Sequence, residues 1–242
     1  MKYWILLGAL LAAAQGQACV HLSQGTPSQS DFIDCRLGYA IGYNYSMKSL
    51  DWVAYELKRQ VGEGVGRTED FREDLEIPVQ YRTTLEDYEE PIYARGHMAN
   101  SESLDETEDM MSETFFMSNM VPQLPRHNGA IWKGLENRER KVANHRSRVF
   151  VFTGPLYEGE TTYIGNKVPV PSHLWKVIYD PANNSAIAYI IDHKPLKTSQ
   201  LKHYIVSIDE VESRAEVDLL TVLDAKAQEM LESRVESRVW TK

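Results

Sequence analysis

Four polar residues in the middle of this chain have the types and spacing needed for metal-assisted chemistry on a phosphate ester. His97 ends a short segment that is predicted to be extended. A predicted helix follows, and it carries Asn128, Glu136 and Arg140. At 100° per residue these three side chains and Trp132 share one broad face of the helix. One cation could therefore be held between that face and a phosphate group.

Each residue type fits one part of such a reaction. The amide oxygen of Asn128 is a neutral hard ligand, which leaves most of the coordination sphere of Mg²⁺ to water and substrate. Glu136 is then better placed to orient water on the ion than to bind the ion directly. The neutral imidazole of His97 can take a proton from water near pH 7. Arg140, and Arg67 further upstream, can hold phosphate oxygens as charge develops in the transition state.

Taken singly, these residues have simpler explanations. A lone histidine is more often a structural residue than a catalytic one. Glu136 and Arg140 are four residues apart on the predicted helix, and such a pair is usually a surface ion pair worth about 0.3 kcal/mol. The functional interpretation therefore depends on the combination and its order along the chain.

Several longer motifs surround these residues, in order, from about residue 35 to residue 223. They are Asp51-Trp52-Val53-Ala54-Tyr55, Arg67 with Phe71-Arg72-Glu73-Asp74, Arg95-Gly96-His97-Met98-Ala99, Phe116-Met117-Ser118-Asn119-Met120-Val121-Pro122-Gln123, Asn128 with Trp132, Glu136 and Arg140, Thr153-Gly154-Pro155-Leu156-Tyr157, and Val170-Pro171-Ser172-His173-Leu174-Trp175-Lys176-Val177. Together they resemble the DNA/RNA non-specific endonuclease family of the ββα-metal class, which includes endonuclease G and secreted bacterial nucleases.

The resemblance implies an α+β fold in which helices flank a mostly antiparallel central sheet and a ββα-metal motif forms the active site. It implies a sugar-non-specific endonuclease that hydrolyses DNA and RNA with one Mg²⁺, or Mn²⁺ as a substitute, and leaves 5′-phosphate ends. The implied site residues are the general base His97, the metal ligand Asn128, Glu136 beside the water on the ion, the phosphate clamps Arg67 and Arg140, the bracing residue Asn119, and Arg95.

One residue departs from the family pattern. The motif usually begins Asp-Arg-Gly-His, and Ala94 stands at the position of the aspartate. A carboxylate there would tune the electrostatics of the site or of Arg95, so the catalytic rate and the metal affinity are open. Two alternatives follow: a nucleic-acid-binding protein that kept the fold and lost the chemistry, and a phosphodiesterase that acts on a small phosphate ester.

The N-terminus predicts export. Residues 1–18 contain an apolar run of 11 residues, Trp4–Ala14, which is shorter than the roughly 20 residues that a membrane span needs. The run is typical of a secretory signal peptide cleaved after Gly16 or Ala18. An uncleaved anchor and a lipoprotein signal that uses Cys19 are the alternatives. We expect a secreted or periplasmic protein with no membrane attachment after cleavage.

Cys19 and Cys35 are the only cysteines. In an oxidising compartment such a pair is expected to form one disulfide, and two free thiols are the alternative. The bond would close a loop of 15 intervening residues and stabilise the fold by about 3 kcal/mol if it is unstrained. A zinc site is not expected, because no histidine lies beside either cysteine at ligand spacing.

Residues 19–242 are predicted to form a single domain with a family-like core at 35–223 and a C-terminal helix at 224–242. Within the last segment, an amphipathic helix is predicted at Ala225–Val239, and its docking on its own domain or in a homodimer is open. The catalytic helix is predicted from Asn128 to about His145. The predicted strands are Gly38–Tyr43, Asp51–Leu57, Thr114–Met120, Val149–Thr153, Tyr163–Gly165, Lys167–Pro171, Trp175–Tyr179 and Ala186–Ile191.

The charge distribution limits the kinds of nucleic-acid contact. After loss of the signal the chain carries 25 basic and 35 acidic residues, a net charge of −10, which argues against a tight, salt-dependent DNA coat. Residues 126–148 nevertheless hold seven Lys and Arg against two Glu, and such a basic ridge suits transient contact. The acidic segment Glu102–Glu113 is predicted to be a solvated helical insert rather than a calcium site. The sequence leaves open an inhibitor protein that protects the producing cell before export.

Overall fold

The computed structural model describes residues 19–240, and the predicted signal peptide at 1–18 lies outside them. Its strands are β1 (Phe32–Cys35), β2 (Ala40–Asn44), β3 (Ser49–Lys58), β4 (Ala94–His97), β5 (Met120–Gln123), β6 (Arg148–Leu156), β7 (Tyr163–Ile164), β8 (Val168–Pro169), β9 (His173–Asp180), β10 (Ser185–Asp192) and β11 (Ile205–Val206). Seven of these strands form a central antiparallel sheet in the order β1-β2-β3-β6-β9-β10-β11. The pairs β4-β5 and β7-β8 form two small sheets.

The helices are short apart from one. They are α1 (Glu108–Glu113), α2 (Lys133–Arg146), α3 (Ile208–Ala215) and α4 (Ala225–Glu232), and a π-helical turn at His127–Trp132 leads directly into α2. Single 3₁₀ turns lie at Val20–Leu22, Val79–Tyr81, Glu86–Tyr88, Ser101–Ser103, Met117–Asn119 and Thr198–His203. None of the helices between residues 19 and 240 has the length and apolar character needed to cross a bilayer.

The central sheet has a separate apolar core on each face. Side chains alternate along a strand, so in β3 Val53, Tyr55 and Leu57 enter one core while Trp52 and Ala54 enter the other. The first core also contains side chains of α2 and β5 and the residues after β4, and the second contains side chains of α3 and α4. The two sides of the molecule therefore differ in what covers the sheet.

The ββα motif lies on the first face. Strands β4 and β5 pair antiparallel, with Ala94 opposite Gln123 and His97 opposite Met120, and the π-helical turn and α2 follow. Gly96 is required here because a Cβ atom at this position would lie 2.3 Å from the side-chain oxygen of Gln123. The predicted α+β fold with a mostly antiparallel sheet and a ββα motif is confirmed.

The prediction of a strand at Thr114–Met120 is wrong. The backbone N–H groups of Thr114 and Phe115 donate to the carbonyls of Met111 and Ser112, so the chain continues the turn of α1. A 3₁₀ turn follows, and the strand begins only at Met120. A short apolar run fits either a strand or a helical turn, and here the backbone that carries the buried side chains forms a helical turn.

The C-terminal helix is shorter than the predicted Ala225–Val239. Helix α4 ends at Glu232, after Leu231 has entered the core on the second face. Trp240 lies in the core on the first face, with the guanidinium of Arg146 3.9 Å from its ring centroid. The segment between them therefore passes from one side of the sheet to the other and cannot remain helical. Met230, an apolar residue of this amphipathic helix, is 68% exposed.

The predicted disulfide is present. Cys19 and Cys35 are bonded, with their Cα atoms 5.9 Å apart, and join the 3₁₀ turn at Val20–Leu22 to the end of the edge strand β1. The next residue, Arg36, donates to the buried Asp74 at 2.8 Å. Asp74 also accepts a 2.7 Å hydrogen bond from Ser118, next to the site residue Asn119. The cross-link is thus connected to the scaffold of the ββα motif.

His127 is fully buried at the start of the π-helical turn. Within the described residues neither of its ring nitrogens has a hydrogen-bond partner, and the ring of His193 lies 5.2 Å away. Burial, with a smaller contribution from His193, lowers the pKa of His127 to about 3. This side chain is therefore neutral in the folded protein at physiological pH.

Removing the disulfide should destabilise the protein. We expect Cys35→Ser to lower the free energy of unfolding by about 3 kcal/mol, because the unfolded chain regains the freedom of the closed loop. Chemical denaturation of wild type, Cys19→Ser, Cys35→Ser and the double variant measures this loss. The double variant should be no less stable than either single one, since each removes the same bond. Unchanged stability in all three variants would contradict a structural role for the bond.

The buried His127 should make the protein sensitive to acid. Its folded pKa is about 3 against 6.5 unfolded, so the unfolded chain binds the extra proton and stability is lost as the pH falls from 6.5 towards 3. Between pH 7.5 and pH 5 this loss amounts to about 2 kcal/mol. We therefore expect His127→Gln to lose about 2 kcal/mol less than wild type over that range in denaturation experiments. His145→Gln, at an exposed position of α2, is the matched control and should keep the wild-type pH dependence.

Candidate active site

The segment of residues 98–104, which follows His97, is held in place by Asn119. The side-chain nitrogen of Asn119 donates to the carbonyls of Ala99 and Thr114 at 2.9 and 2.8 Å, and its side-chain oxygen accepts from the N–H of Ala99 at 2.8 Å. Asn119 is fully buried. Its amide is thus occupied with backbone groups, which is the geometry that a bracing residue requires.

His97 lies in an aromatic slot at the end of β4. Its ring centroid is 4.9 Å from that of Phe115 and 5.6 Å from that of Phe71, and only 7% of the residue is exposed. Burial, followed by the positive charges of Arg67 and Arg95, lowers the pKa of His97 to about 3. The Nε2 atom is buried, and no atom of residues 19–240 forms a hydrogen bond with it. The imidazole is therefore neutral and able to accept a proton.

Arg67 and Arg95 stack on the same two aromatic rings. The guanidinium carbon of Arg67 lies 4.9 Å from the ring centroid of Phe115, and that of Arg95 lies 4.1 Å from the centroid of Phe71. Arg67 also donates to the hydroxyl of Ser101 at 2.8 Å. Cation–π contacts of this kind fix the direction of a guanidinium without neutralising it. Two positive charges thus lie beside the neutral imidazole.

Arg140 on α2 contacts the other end of the segment 98–104. Its guanidinium donates to the side chains of Asn100 and Glu102, each at 2.8 Å, and to Asn137. Lys133 Nζ lies 3.8 Å from the second carboxylate oxygen of Glu102. The segment therefore connects Arg67, at Ser101, with Arg140. It brings the two predicted phosphate clamps to the same loop.

The acidic segment Glu102–Glu113 only partly matches the predicted solvated helical insert. Its helix is limited to Glu108–Glu113, and Leu104 and Met111 are buried. Glu102 does not extend freely into solvent, since its carboxylate contacts Arg140. The acidic residue at the start of this segment is therefore part of the site.

Glu136 is 5% exposed on the first turn of α2. Burial raises its pKa to about 7, with Lys176 opposing the shift and Glu139 adding to it. A nearby positive charge would restore the ionised form, because opposite charge stabilises a carboxylate. Glu136 can therefore exchange a proton near neutral pH.

A fully buried ion pair lies beneath the site. Lys176 Nζ on β9 is 2.5 Å from Glu139 Oε2 on α2, and both side chains are inaccessible to solvent. The other carboxylate oxygen of Glu139 accepts from Tyr55 on β3 and from Ser103, each at 2.8 Å. Two strands of the sheet, α2 and the segment 98–104 thus meet at one carboxylate. Lys176 belongs to a motif that resembles the family, but its strand position alone does not predict a buried charge.

Asn128 lies on the π-helical turn, half-buried, and its carbonyl accepts from the N–H of Lys133 five residues later. The predicted shared face assumed uniform α-helical rotation, and this i→i+5 bond changes the rotation per residue between Asn128 and Trp132. Trp132 and Glu136 are buried, whereas Asn128 and Arg140 are half-buried. Asn128 is connected to His97 through Trp132, whose indole nitrogen lies 3.4 Å from the carbonyl oxygen of His97.

The donor set fits an ion that keeps most of its water. Among residues 19–240, the one group of three or more His, Cys, Asp or Glu side chains with ligand atoms within 4.8 Å of one another is Asp209, Glu212 and Glu232, on the second face of the sheet. The neighbourhood of His97 thus offers no cage of carboxylates within the described chain. An amide oxygen at Asn128 with a single buried carboxyl at Glu136 suits Mg²⁺ better than Zn²⁺.

Five further residues take part in the site geometry and were not predicted to do so. Phe71 occurs in a family-like motif, but no role followed from that motif alone. Phe115 was placed in a strand that does not exist. The remaining three lie directly before the acidic segment or at its first position, where no motif singled them out: Asn100, Ser101 and Glu102.

Comparisons with known proteins identify the family of this chain. Residues 20–226 match the family model described as DNA/RNA non-specific endonuclease. The chain is 30% identical over 238 residues to a nuclease of a Nostoc species, covering 90% of this chain and 86% of that protein. It is 33% identical over 223 residues to nuclease C1 of Cunninghamella echinulata var. echinulata, covering 84% and 88% of the two chains.

The fold is also similar to that of a solved protein. A chain in the crystal structure of the EndoG/EndoGI complex superposes with a TM-score of 0.82 at 26% identity, covering 89% of this chain and 96% of that one. The resemblance found in the sequence motifs is therefore confirmed at the level of family and fold. Because the family model spans most of its length, this chain belongs to the DNA/RNA non-specific endonuclease family, whose members are hydrolytic nucleases.

Proposed function

We propose that this protein is an exported, Mg²⁺-dependent endonuclease that hydrolyses phosphodiester bonds in DNA and RNA and leaves 5′-phosphate ends. The observation that supports this most directly is the neutral imidazole of His97 between two stacked guanidiniums, those of Arg67 and Arg95. Such a site has a group that can accept a proton, and it has positive charge where a phosphate would bind. Neither feature depends on the nucleobase or the sugar of the substrate.

His97 would act as the general base that takes a proton from the attacking water. A histidine with a pKa of about 3 is neutral but weakly basic. A phosphate bound against Arg67 and Arg95 would offset their charges and raise the pKa of His97. Substrate binding would thus make the imidazole a better base at the moment that it is needed.

Arg67 and Arg140 would hold the phosphate oxygens. Each guanidinium already has one carboxylate partner, Glu69 at 2.6 Å and Glu102 at 2.8 Å. An incoming phosphate would exchange with these carboxylates, so that the bound state gains charge-assisted hydrogen bonds without burying a free arginine. As negative charge builds on the phosphate in the transition state, the same contacts become stronger.

Asn128 would hold the Mg²⁺ ion, or Mn²⁺ in its place, through the amide oxygen. When bound, the ion would supply electrostatic stabilisation to the phosphate and to the leaving 3′ oxygen. Glu136 would be ionised beside this positive charge and would orient water for the reaction. Asn119 would hold the segment after His97 in a fixed position relative to the helix that carries Asn128 and Glu136.

The proposed setting is outside the cytoplasm, either secreted or periplasmic. The apolar run Trp4–Ala14 and the disulfide between Cys19 and Cys35 support this, because disulfides persist in oxidising compartments. An inhibitor protein is a further proposed partner. The structural similarity to a chain of the EndoG/EndoGI complex, in which EndoG is inhibited, motivates that proposal.

Mutation of His97 tests the catalytic proposal. We expect the mature protein to degrade supercoiled plasmid and total RNA with Mg²⁺ and not with EDTA. His97→Ala should lower the rate by roughly 100- to 10,000-fold, the usual contribution of a general base. Initial rates of plasmid nicking and RNA release measure the effect.

His145→Ala, on the exposed surface of α2, is the control and should keep the wild-type rate. If the wild type binds plasmid and RNA but cleaves neither in Mg²⁺, Mn²⁺ or Ca²⁺, the proposal is wrong. That result would favour a nucleic-acid-binding protein that has lost the chemistry, with Ala94 as the first residue to examine. Preferential cleavage of a small phosphate ester over DNA would identify a specialised phosphodiesterase instead.

Removing the Glu102 carboxylate should strengthen substrate binding. In Glu102→Gln the guanidinium of Arg140 no longer has a charged partner that competes with phosphate. We expect KM for DNA to fall about two- to fivefold, in line with the energy of a partly exposed ion pair. Steady-state cleavage at fixed ionic strength measures KM and kcat separately. Glu106→Gln changes the charge equally at an exposed position of the same segment and should leave KM unchanged; equal KM values for both variants would refute the competition.

A further inference from the structure

Three carboxylates converge on the face of the sheet opposite the nuclease site. Asp209 and Glu212 lie on α3, and Glu232 is the last residue of α4. One carboxylate oxygen of each lies within 4.8 Å of the others. Both helices pack on the second core through Val211 and Leu231, whereas the segment after His97 borders the first core. This cluster is therefore separate from the proposed catalytic residues.

Glu232 is not an ordinary surface carboxylate. Only 6% of the residue is exposed, and its Oε1 atom is buried without a hydrogen-bond partner in the described chain. Buried polar atoms in folded proteins are almost always satisfied, and an unpaired carboxylate oxygen is among the most costly exceptions. The side chain is nevertheless directed at two more carboxylates. A cation bound at this oxygen would satisfy it.

Positive side chains do not balance the cluster. No Lys or Arg in residues 19–240 forms a salt bridge with Asp209, Glu212 or Glu232, and the nearby Arg214 is engaged by Glu158 and Glu210. Within the described chain, the side-chain carboxylate of Glu212 accepts one hydrogen bond, from the N–H of Leu219 at 2.7 Å.

Repulsion among the three carboxylates contributes to the raised pKa values of Glu212 and Glu232. Burial and the neighbouring carboxylates, Glu232 first among them, raise the pKa of Glu212 to about 7. Burial and the negative charges of Asp209 and Asp218 also raise the pKa of Glu232. The cluster thus lacks positive charge, and a cation is the simplest source of it.

We propose that Asp209, Glu212 and Glu232 bind a Ca²⁺ ion that joins α3 to α4. The donor set consists of oxygen alone, which favours Ca²⁺ or Mg²⁺ over Zn²⁺ and other metals that prefer nitrogen and sulfur. Ca²⁺ binds oxygens at about 2.3–2.6 Å, so two ligands on opposite sides of the ion can lie about 5 Å apart, whereas the limit for Mg²⁺ is about 4.2 Å. A spread of up to 4.8 Å is within the range of Ca²⁺.

The coordination would be completed by water on the side of Asp209, which is exposed, while Glu232 closes the buried side. The ion removes the like-charge repulsion and satisfies the unpaired oxygen of Glu232 in one step. Its effect is to hold α4 on the second face of the sheet, just before the chain passes to the first face. This role concerns stability and is independent of the proposed nuclease activity.

Calcium-dependent stability tests the site in the full mature chain. We expect 10 mM CaCl₂ to raise the melting temperature of the wild type by roughly 3 to 10 °C over EDTA, as a dissociation constant of about 0.1–1 mM would produce. Glu232→Gln should lose this rise. In EDTA the same variant should melt at or above the wild-type temperature, because the substitution removes repulsion. Glu229→Gln, which changes the charge at an exposed position of α4, should keep the full rise.

The Asn128→Ala background separates this ion from the proposed catalytic one. Isothermal titration of Asn128→Ala with CaCl₂ should still show one bound Ca²⁺, and the double variant Asn128→Ala/Glu232→Gln should show none. MgCl₂ should give a smaller thermal shift than CaCl₂. Glu232→Gln should cleave DNA at the wild-type rate, so failure of this proposal and failure of the nuclease proposal give different results.

A different outcome would overturn the calcium site. If Glu232→Gln melts well below the wild type in EDTA, and calcium shifts neither protein, the carboxyls share protons with one another and bind no metal. An equal calcium-dependent rise in Glu232→Gln and wild type would likewise place the ion elsewhere on the protein.

Discussion

The buried ion pair between Glu139 and Lys176 is the interaction on which the arrangement of the site depends. It joins α2 to β9, and through Tyr55 and Ser103 it also reaches β3 and the segment after His97. Removing one partner of such a pair leaves an uncompensated charge and typically costs about 3–5 kcal/mol. Glu136 and Arg140 flank Glu139 on the same helix, so their positions relative to His97 follow from this one carboxylate.

A second constraint comes from the charge of the protein. A chain with a net charge of −9 must attract a polyanion by local features. The two arginines proposed as phosphate clamps are each paired with a glutamate, Arg67 with Glu69 and Arg140 with Glu102. Under the proposed function, substrate binding would be an exchange of anionic partners. Such an exchange would limit affinity and speed product release.

Much of the fold could be predicted, because strands with buried faces carry a clear pattern. The strands around Val53, Val151, Ile178 and Ile187 were found at nearly their observed positions. The run Thr114–Met120 was not, because its apolar side chains fit a strand and a turn equally well, and only the backbone bonds to α1 decide between them.

The motifs alone predict His97, Asn119, Asn128 and Arg140 as site residues, and their roles remain predictions. The geometry around them could be predicted less well. The π-helical turn at His127–Trp132 depends on packing, so the uniform 100° rotation assumed from the sequence does not apply across it. The burial of Lys176 and the pairing of Glu102 with Arg140 join residues that are distant along the chain, and local patterns carry no record of such contacts.

The passage of the C-terminal segment between the two cores also affects the open side of the sheet. Strand β11, at that side, is only two residues long and leaves part of β10 without a neighbouring strand. The segment between Glu232 and Trp240 runs past Ser185, where β10 begins. A free strand edge is a template for pairing with another molecule. Trp240 holds this tail beside the start of β10, so cleavage of the tail would leave more of that strand edge open to another molecule.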